Sequence, residues 1–186
     1  MFDAQCDLAA LVYDKDQDPD AVLRDFASEL ISSGRRVVGM VQKGQCADAS
    51  LSAVLVHTGE VLALAQNATS PSSGCKLDLG RLQDAAARVA GAMEDGADLV
   101  IVNRFGKRER DGKGLARVIE RALDGDIPVV IAVSSESFAD WIKFADGMSV
   151  KLHCDRASLD AWWQAVSAGK AGAITGDPQT VCEVFK

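Results

Sequence analysis

The 186-residue chain carries 20 lysines and arginines against 27 aspartates and glutamates, for a formal net charge of −7, and 48% of its residues are hydrophobic. That length leaves room for one well-buried core and too little for two, and a pI near 4.8 argues against general nucleic-acid binding, which needs a basic footprint. Cys6, Cys46, Cys75, Cys154 and Cys182 are odd in number, scattered and without a CxxC pair, so neither a disulfide framework nor a structural zinc site is indicated.

The opening "MFDAQCDLAALVYD" has no basic leader, and no later run reaches a membrane span's length. The expectation is a soluble, reduced, cytoplasmic protein with no membrane partner. "LAALVY" (8–13) is a continuous apolar run, the pattern of a strand covered on both faces. In "DPDAVLRDFASELISSG", Asp18 is placed to cap a helix, Pro19 to open it and Gly34 to stop it. Val22, Leu23, Phe26, Leu30 and Ile31 form its apolar stripe. "RVVGMVQ" (36–42) predicts a second strand. "LSAVLVHTGEVLALAQ" (51–66) predicts two strands around Thr58-Gly59, a β-hairpin inserted into the alternation.

From Asp78 a helix directs Leu79, Leu82, Ala86, Val89 and Met93 inward and stops at Gly96. "DLVIVN" is a strand, and "KGLARVIERALDG" a helix with Leu115, Val118, Ile119, Ala122 and Leu123 on one side. "IPVVIAVS" (127–134) is a buried strand, "SFADWIKFAD" a short helix, "GMSVKLHC" a late strand and "SLDAWWQAVSAG" a final helix. Trp162 and Trp163 fall in its apolar stripe and read as core. The order predicts a three-layer α/β fold, a mostly parallel sheet with helices on both faces, as a single domain over 1–186.

Ligands of open parallel sheets sit beyond the carboxyl ends of the strands. The sharpest signal there is "NRFGKRERDGKG" (103–114), where Arg104, Lys107, Arg108, Arg110 and Lys113 face only Glu109 and Asp111. Two readings stand side by side. Either "GKG" (112–114) opens a helix whose free amides meet an anion beside Lys107, Arg108 or Lys113, or the cations are solvated and neutralise the acidic first loop.

That first loop, "DKDQD" (14–18), also reads more than one way. Asp14, Asp16, Asp18 and Asp25 take calcium-loop spacing, but Pro19 stands where glycine is required. A strand followed by Asp-x-Asp resembles the haloacid-dehalogenase phosphatase motif, which implies Asp14 as nucleophile and Asp16 as acid/base. Helix capping accounts for the same residues without chemistry. Cys75, beside Lys76, is the candidate reactive thiol.

The order of elements, together with "HTGEVLALAQ", "GCKLD", "DLVIVNRFGK", "GDIPVVIAV" and "LDAWWQAV", resembles the bacterial family called domain of unknown function 2478, through residue 166. That family is similar to the small cancer-related nucleoside-triphosphatases, which are P-loop proteins. The resemblance implies a P-loop-like fold, and the family's association with molybdate transport implies an oxyanion such as molybdate or phosphate, or a nucleotide, as ligand. Where those relatives have G-x-x-x-x-G-K-[ST], this chain has "YDKDQDPDAV". Where they have "DEIG", it has "NRFG", and only Gly106 matches. Without converging amides and a lysine, ordinary triphosphate hydrolysis is not expected.

The leading expectation is therefore a non-hydrolysing protein that binds a small anion or nucleotide through Lys43, Asn103, Arg104, Gly106, Lys107, Arg108 and Lys113. One alternative is a metal-assisted phosphohydrolase using Asp14 and Asp16, with Asp18 as a further metal ligand. The other is an interaction protein without a small ligand, forming a homodimer through its hairpin.

Overall fold

The computed structural model describes residues 6–44, 51–66 and 77–173. The loop containing Cys46, the segment containing Cys75 and the C-terminal tail lie outside the described residues, as does the reactive-thiol expectation. Strand β1 (Leu8–Tyr13) leads to helix α1 (Pro19–Ser32), β2 (Val37–Lys43), and the hairpin β3 (Ser52–Leu55) and β4 (Val61–Ala63). Helix α2 (Leu79–Glu94), β5 (Leu99–Arg104), the single turn α3 (Lys107–Arg110) and α4 (Ala116–Asp124) follow. The described chain closes with β6 (Val129–Ser134), α5 (Phe138–Phe144), β7 (Val150–His153) and α6 (Arg156–Ala173).

The seven strands form one sheet in the order β4-β3-β2-β5-β6-β1-β7. β2, β5, β6, β1 and β7 run parallel to one another, while β3 pairs antiparallel with both β2 and β4 at one side. The fold is thus α/β with helices on both faces of a mostly parallel sheet and an inserted hairpin. In the helical layers α1 touches α6 and α2 touches α4. β6 and β1, both interior strands, are apolar throughout "VVIAV" and "LAAL" because neither face meets water.

Asp18 caps α1 as its position predicts. Its Oδ1 accepts the amide hydrogens of Asp20 and Ala21 at 3.1 and 3.0 Å, with Pro19 at the first helical position. Leu23, Phe26, Ala27 and Leu30 are the buried face of α1; Val22 is half-buried and Ile31 is exposed, which narrows the predicted stripe. On α2, Leu82, Ala85, Val89 and Met93 point inward. Leu79 is exposed and Ala86 only half-buried, because the inward face is centred nearer Ala85 than the apolar letters alone suggest. Trp162 is buried and donates its indole N–H to the Cys6 carbonyl at 2.9 Å.

Two irregularities shape the carboxyl ends of the strands. β2 pairs with β5 only through Val37, Val38 and Gly39, and from Met40 onward it pairs with β3. Gly39 marks the handover. Its φ is +141°, and a Cβ there would lie 1.9 Å from the Ile101 carbonyl oxygen, so only glycine fits. Beyond it, β2 carries Gln42 and Lys43 away from β5 and opens a cleft. The second irregularity is in β5: Val102 is opposite Ile131, yet Arg104 is opposite Ala132, so the backbone of Asn103 is an extra residue. Such a bulge bends the strand and re-aims the next side chain.

Candidate functional site

The cleft lies past the ends of β1, β2 and β5, with a volume of about 720 Å³. Its cationic lining is Lys15, Arg24, Lys43 and Arg104; Asp16, Asp18 and Asp20 are its carboxylates. The first loop and the end of β5 therefore share one cavity, in the position where the strand order places a ligand.

Arg104, turned inward after the bulge, pairs with Asp20 at 2.7 Å between Nη2 and Oδ2. Its Nη1 reaches the Tyr13 hydroxyl at 3.5 Å, and the guanidinium carbon stands 5.1 Å from the centre of the Tyr13 ring. Burial pulls the Arg104 guanidinium down, but hydrogen bonds to Asp20 and Tyr13 and the Asp20 charge outweigh it and leave its pKa raised. Asp20 is 8% exposed, so this pair is partly desolvated and holds α1 against β5. Arg24, one turn further along α1, reaches the Gln42 carbonyl at 3.4 Å and stands beside Lys43 at the other lip. Lys15 turns outward to Glu136 at 2.9 Å.

The predicted basic loop is folded differently from the expectation. Lys107–Arg110 is a helical turn, and the amides of Gly112, Lys113 and Leu115 are occupied by the protein itself. The Glu109 carboxylate, 5% exposed, accepts the amide hydrogens of Gly106 and Leu115, each at 3.1 Å. Gly112 and Lys113 donate to the carbonyls of Glu109 and Arg108. The anion at the start of this helix is thus Glu109, which corrects the reading of "GKG" as an open amide cradle. Arg110 leaves the cluster to pair with Asp140 at 2.5 Å.

The seven residues assigned from sequence do not share one wall. Lys43 and Arg104 line the main cleft. Gly106, Lys107 and Arg108 line an adjoining hollow of about 280 Å³, joined to the cleft through Gln42 and Arg104. Lys113 lies in a third depression between α2 and α4, which Arg108 also borders. Asn103 contributes the bulge of β5.

The calcium-type arrangement does not assemble. Asp18 is committed to the cap of α1, Asp25 is exposed on that helix, and no group of three or more His, Cys, Asp or Glu among the described residues is placed to hold a metal ion. Asp14 and Asp16 are exposed, and the Asp14 amide donates to Gln17 Oε1 at 2.9 Å. Asp20, Arg24 and Glu109 escaped the sequence reading. Asp20 and Arg24 are one turn apart on the helix that follows the candidate loop, and that spacing was the available signal. Among the described residues no helix is long and apolar enough to cross a membrane.

Residues 8–162 match the family described as "Protein of unknown function (DUF2478)". The chain is 35% identical over 165 residues to a protein of Bradyrhizobium diazoefficiens named "Molybdenum import ATP-binding protein ModC 2", covering 87% of this chain. It spans only 18% of that relative's length. Among solved structures, THEP1 from the hyperthermophile Aquifex aeolicus has the same fold, with a TM-score of 0.61, covering 85% of this chain and 95% of THEP1 at 11% identity. The chain belongs to the DUF2478 family.

Proposed function

We propose that this DUF2478 protein binds a small tetrahedral oxyanion, of the molybdate or phosphate class, at the lip of the cleft formed by Arg24, Lys43 and Arg104. The observation that carries the reading is the uneven distribution of charge in one cavity. Arg24, Lys43 and Arg104 line it together, while the first loop presents Asp16 and Asp18 and its Lys15 is paired with Glu136. A compact anion can sit against the basic lip. A polyphosphate reaching over the first loop meets carboxylates where a P-loop offers amides and lysine. The volume would admit a nucleotide, so it is charge that selects the smaller ligand. The relative named for molybdenum import supports molybdate as the first oxyanion to try.

In this account Asp20 is an internal competitor, since its carboxylate already holds Nη2 of Arg104. The anion takes the donors that remain on Arg104, with Lys43 and Arg24 completing the shell. No bond is made or broken, and the role is capture or sensing. Calorimetric titration with molybdate, phosphate and ATP is the test. One oxyanion should bind with unit stoichiometry and more tightly than ATP. Lys43→Ala should weaken it about ten-fold, and Asp20→Asn should tighten it by relieving the competition. Absence of heat with every oxyanion, or binding indifferent to Lys43→Ala, would refute the proposal.

A further inference from the structure

The third depression, between α2 and α4, has a volume of about 640 Å³ and lies apart from the oxyanion lip. Ala86, Ala87 and Ala90 of α2 supply small side chains to its floor, and Gly112 and Gly114 line one end. Arg108, Lys113, Arg117 and Arg121 surround it. Glu94 pairs with Arg121 at 2.6 Å. Arg108, Lys113 and Arg117 form no ion pair among the described residues.

Beyond the Arg121–Glu94 pair, these cations make no ion pair among the described residues that ties α4 to α2. Arg117 and Arg121 are four residues apart on α4, where like charges repel. Glu94 offsets Arg121 across the groove, but Arg117 faces Ala86, Ala87 and Ala90 of α2 rather than acids. A chain of net charge −7 nonetheless keeps these cations around a small-residue floor, on which another backbone can lie close.

We propose that the α2/α4 groove docks an acidic segment of a partner protein, its carboxylates meeting Arg108, Lys113 and Arg117 and its backbone seated over Ala86, Ala87 and Ala90. Charge complementarity selects an acidic occupant. The lining residues favour a peptide over a nucleic acid: Gln83, the alanines and Val118 provide no aromatic platform for bases. An extended nucleic acid would also run past the groove onto a protein surface of net negative charge. A short acidic segment stays within the reach of the local cations, since screening confines their field to roughly 8 Å at physiological salt.

Fluorescence anisotropy with a labelled Glu/Ala-repeat peptide tests this directly on the intact chain, with a single-stranded oligonucleotide of equal charge as the second probe. The peptide should bind and weaken as salt rises. The double variant Lys113→Glu/Arg117→Glu should lower its affinity at least ten-fold, whereas Lys143→Glu/Lys151→Glu, the same charge change made outside the groove, should alter it little. Ala87→Trp fills the floor at an exposed position without changing charge, and should also weaken binding while the melting temperature holds. The inference is overturned if the peptide does not bind at low salt, if both charge reversals act alike, if Ala87→Trp leaves affinity unchanged, or if the oligonucleotide binds more tightly than the peptide.

Discussion

The cleft at the strand ends and the groove between α2 and α4 both gather arginine and lysine, and in each a paired arginine stands beside unpaired cations, but the pair is half-buried in the cleft and exposed in the groove. In the cleft, Arg104 is matched to the buried Asp20, while Arg24 and Lys43 have no ion pair among the described residues. In the groove, Arg121 is matched to Glu94 at the surface, and the exposed Lys113 and Arg117 are left without an ion pair among the described residues. Charge that is matched and half-buried is tied to the fold, so altering it changes stability. Charge that is unmatched and exposed is free for other molecules, so altering it changes binding and leaves the fold nearly untouched. The contrast also separates the two proposals, since one concerns a compact anion beside an internal carboxylate and the other a macromolecular segment.

The largest expected effect concerns the wall that makes the cleft. Gly39→Ala drives a methyl group into the Ile101 carbonyl and should cost about 3 kcal/mol or more. Urea denaturation would measure this, and a cost below about 1 kcal/mol would mean that β2 leaves β5 for another reason. Glu109→Ala comes next, because it strands the Gly106 and Leu115 amides that the buried carboxylate now satisfies. The expected loss is about 2–3 kcal/mol, with Glu109→Gln less damaging because an amide keeps one acceptor oxygen.

Paired variants set the matched charge of the cleft against the unmatched charge of the groove. Asp20→Ala should lower stability by about 1–2 kcal/mol, below the usual cost of breaking a buried pair because water still reaches Arg104. Arg117→Ala in the groove should stay within about 0.5 kcal/mol of the parent. Equal losses in the two variants would erase the distinction between matched and unmatched charge.

The smallest effect is a pH dependence near the cleft. Burial first, then the charges of Asp155, Asp18 and Asp20, push the Cys154 thiol up to about 11. The folded state therefore holds its proton more tightly than the unfolded chain does. Its contribution is fully present below the ordinary thiol value of 9.0 and is lost as pH rises from there to about 11. Stability should fall across that window and fall less in Cys154→Ser, and alkylation of Cys154 at pH 8 should be slow. Rapid alkylation of that residue at pH 8 would contradict the assigned environment.

The sheet was legible in the sequence because its strands are covered on both faces. "LAALVY" and "VVIAV" have no polar alternation to disguise them, and the hairpin around Thr58-Gly59 announced itself through its turn. The helical stripes were read less accurately. Ile31 and Leu79 are apolar but exposed, since position around the helix, not hydrophobicity, decides burial. The candidate site is legible only as a location. Lys43 and Arg104 meet in the cleft as their places beyond neighbouring strands suggested, but Lys113 lies in another depression. A run of basic letters does not reveal that "KRER" winds into a turn whose side chains leave in different directions. Nor could it show that Glu109, one of two acids in that run, would fold inward and occupy the amides offered to a ligand. Asp20 was hidden for a related reason: its pairing with Arg104 spans 84 residues of sequence and depends on the bulge in β5.

The central claim, that the basic lip of the cleft receives a small oxyanion, is most directly tested by crystals of the protein soaked in molybdate and examined at an X-ray energy where molybdenum scatters anomalously. The account predicts one strong anomalous peak within hydrogen-bonding distance of Lys43 and Arg104, lost in Lys43→Ala. A peak confined to other surfaces, or no peak at concentrations that saturate the calorimetric signal, would contradict it.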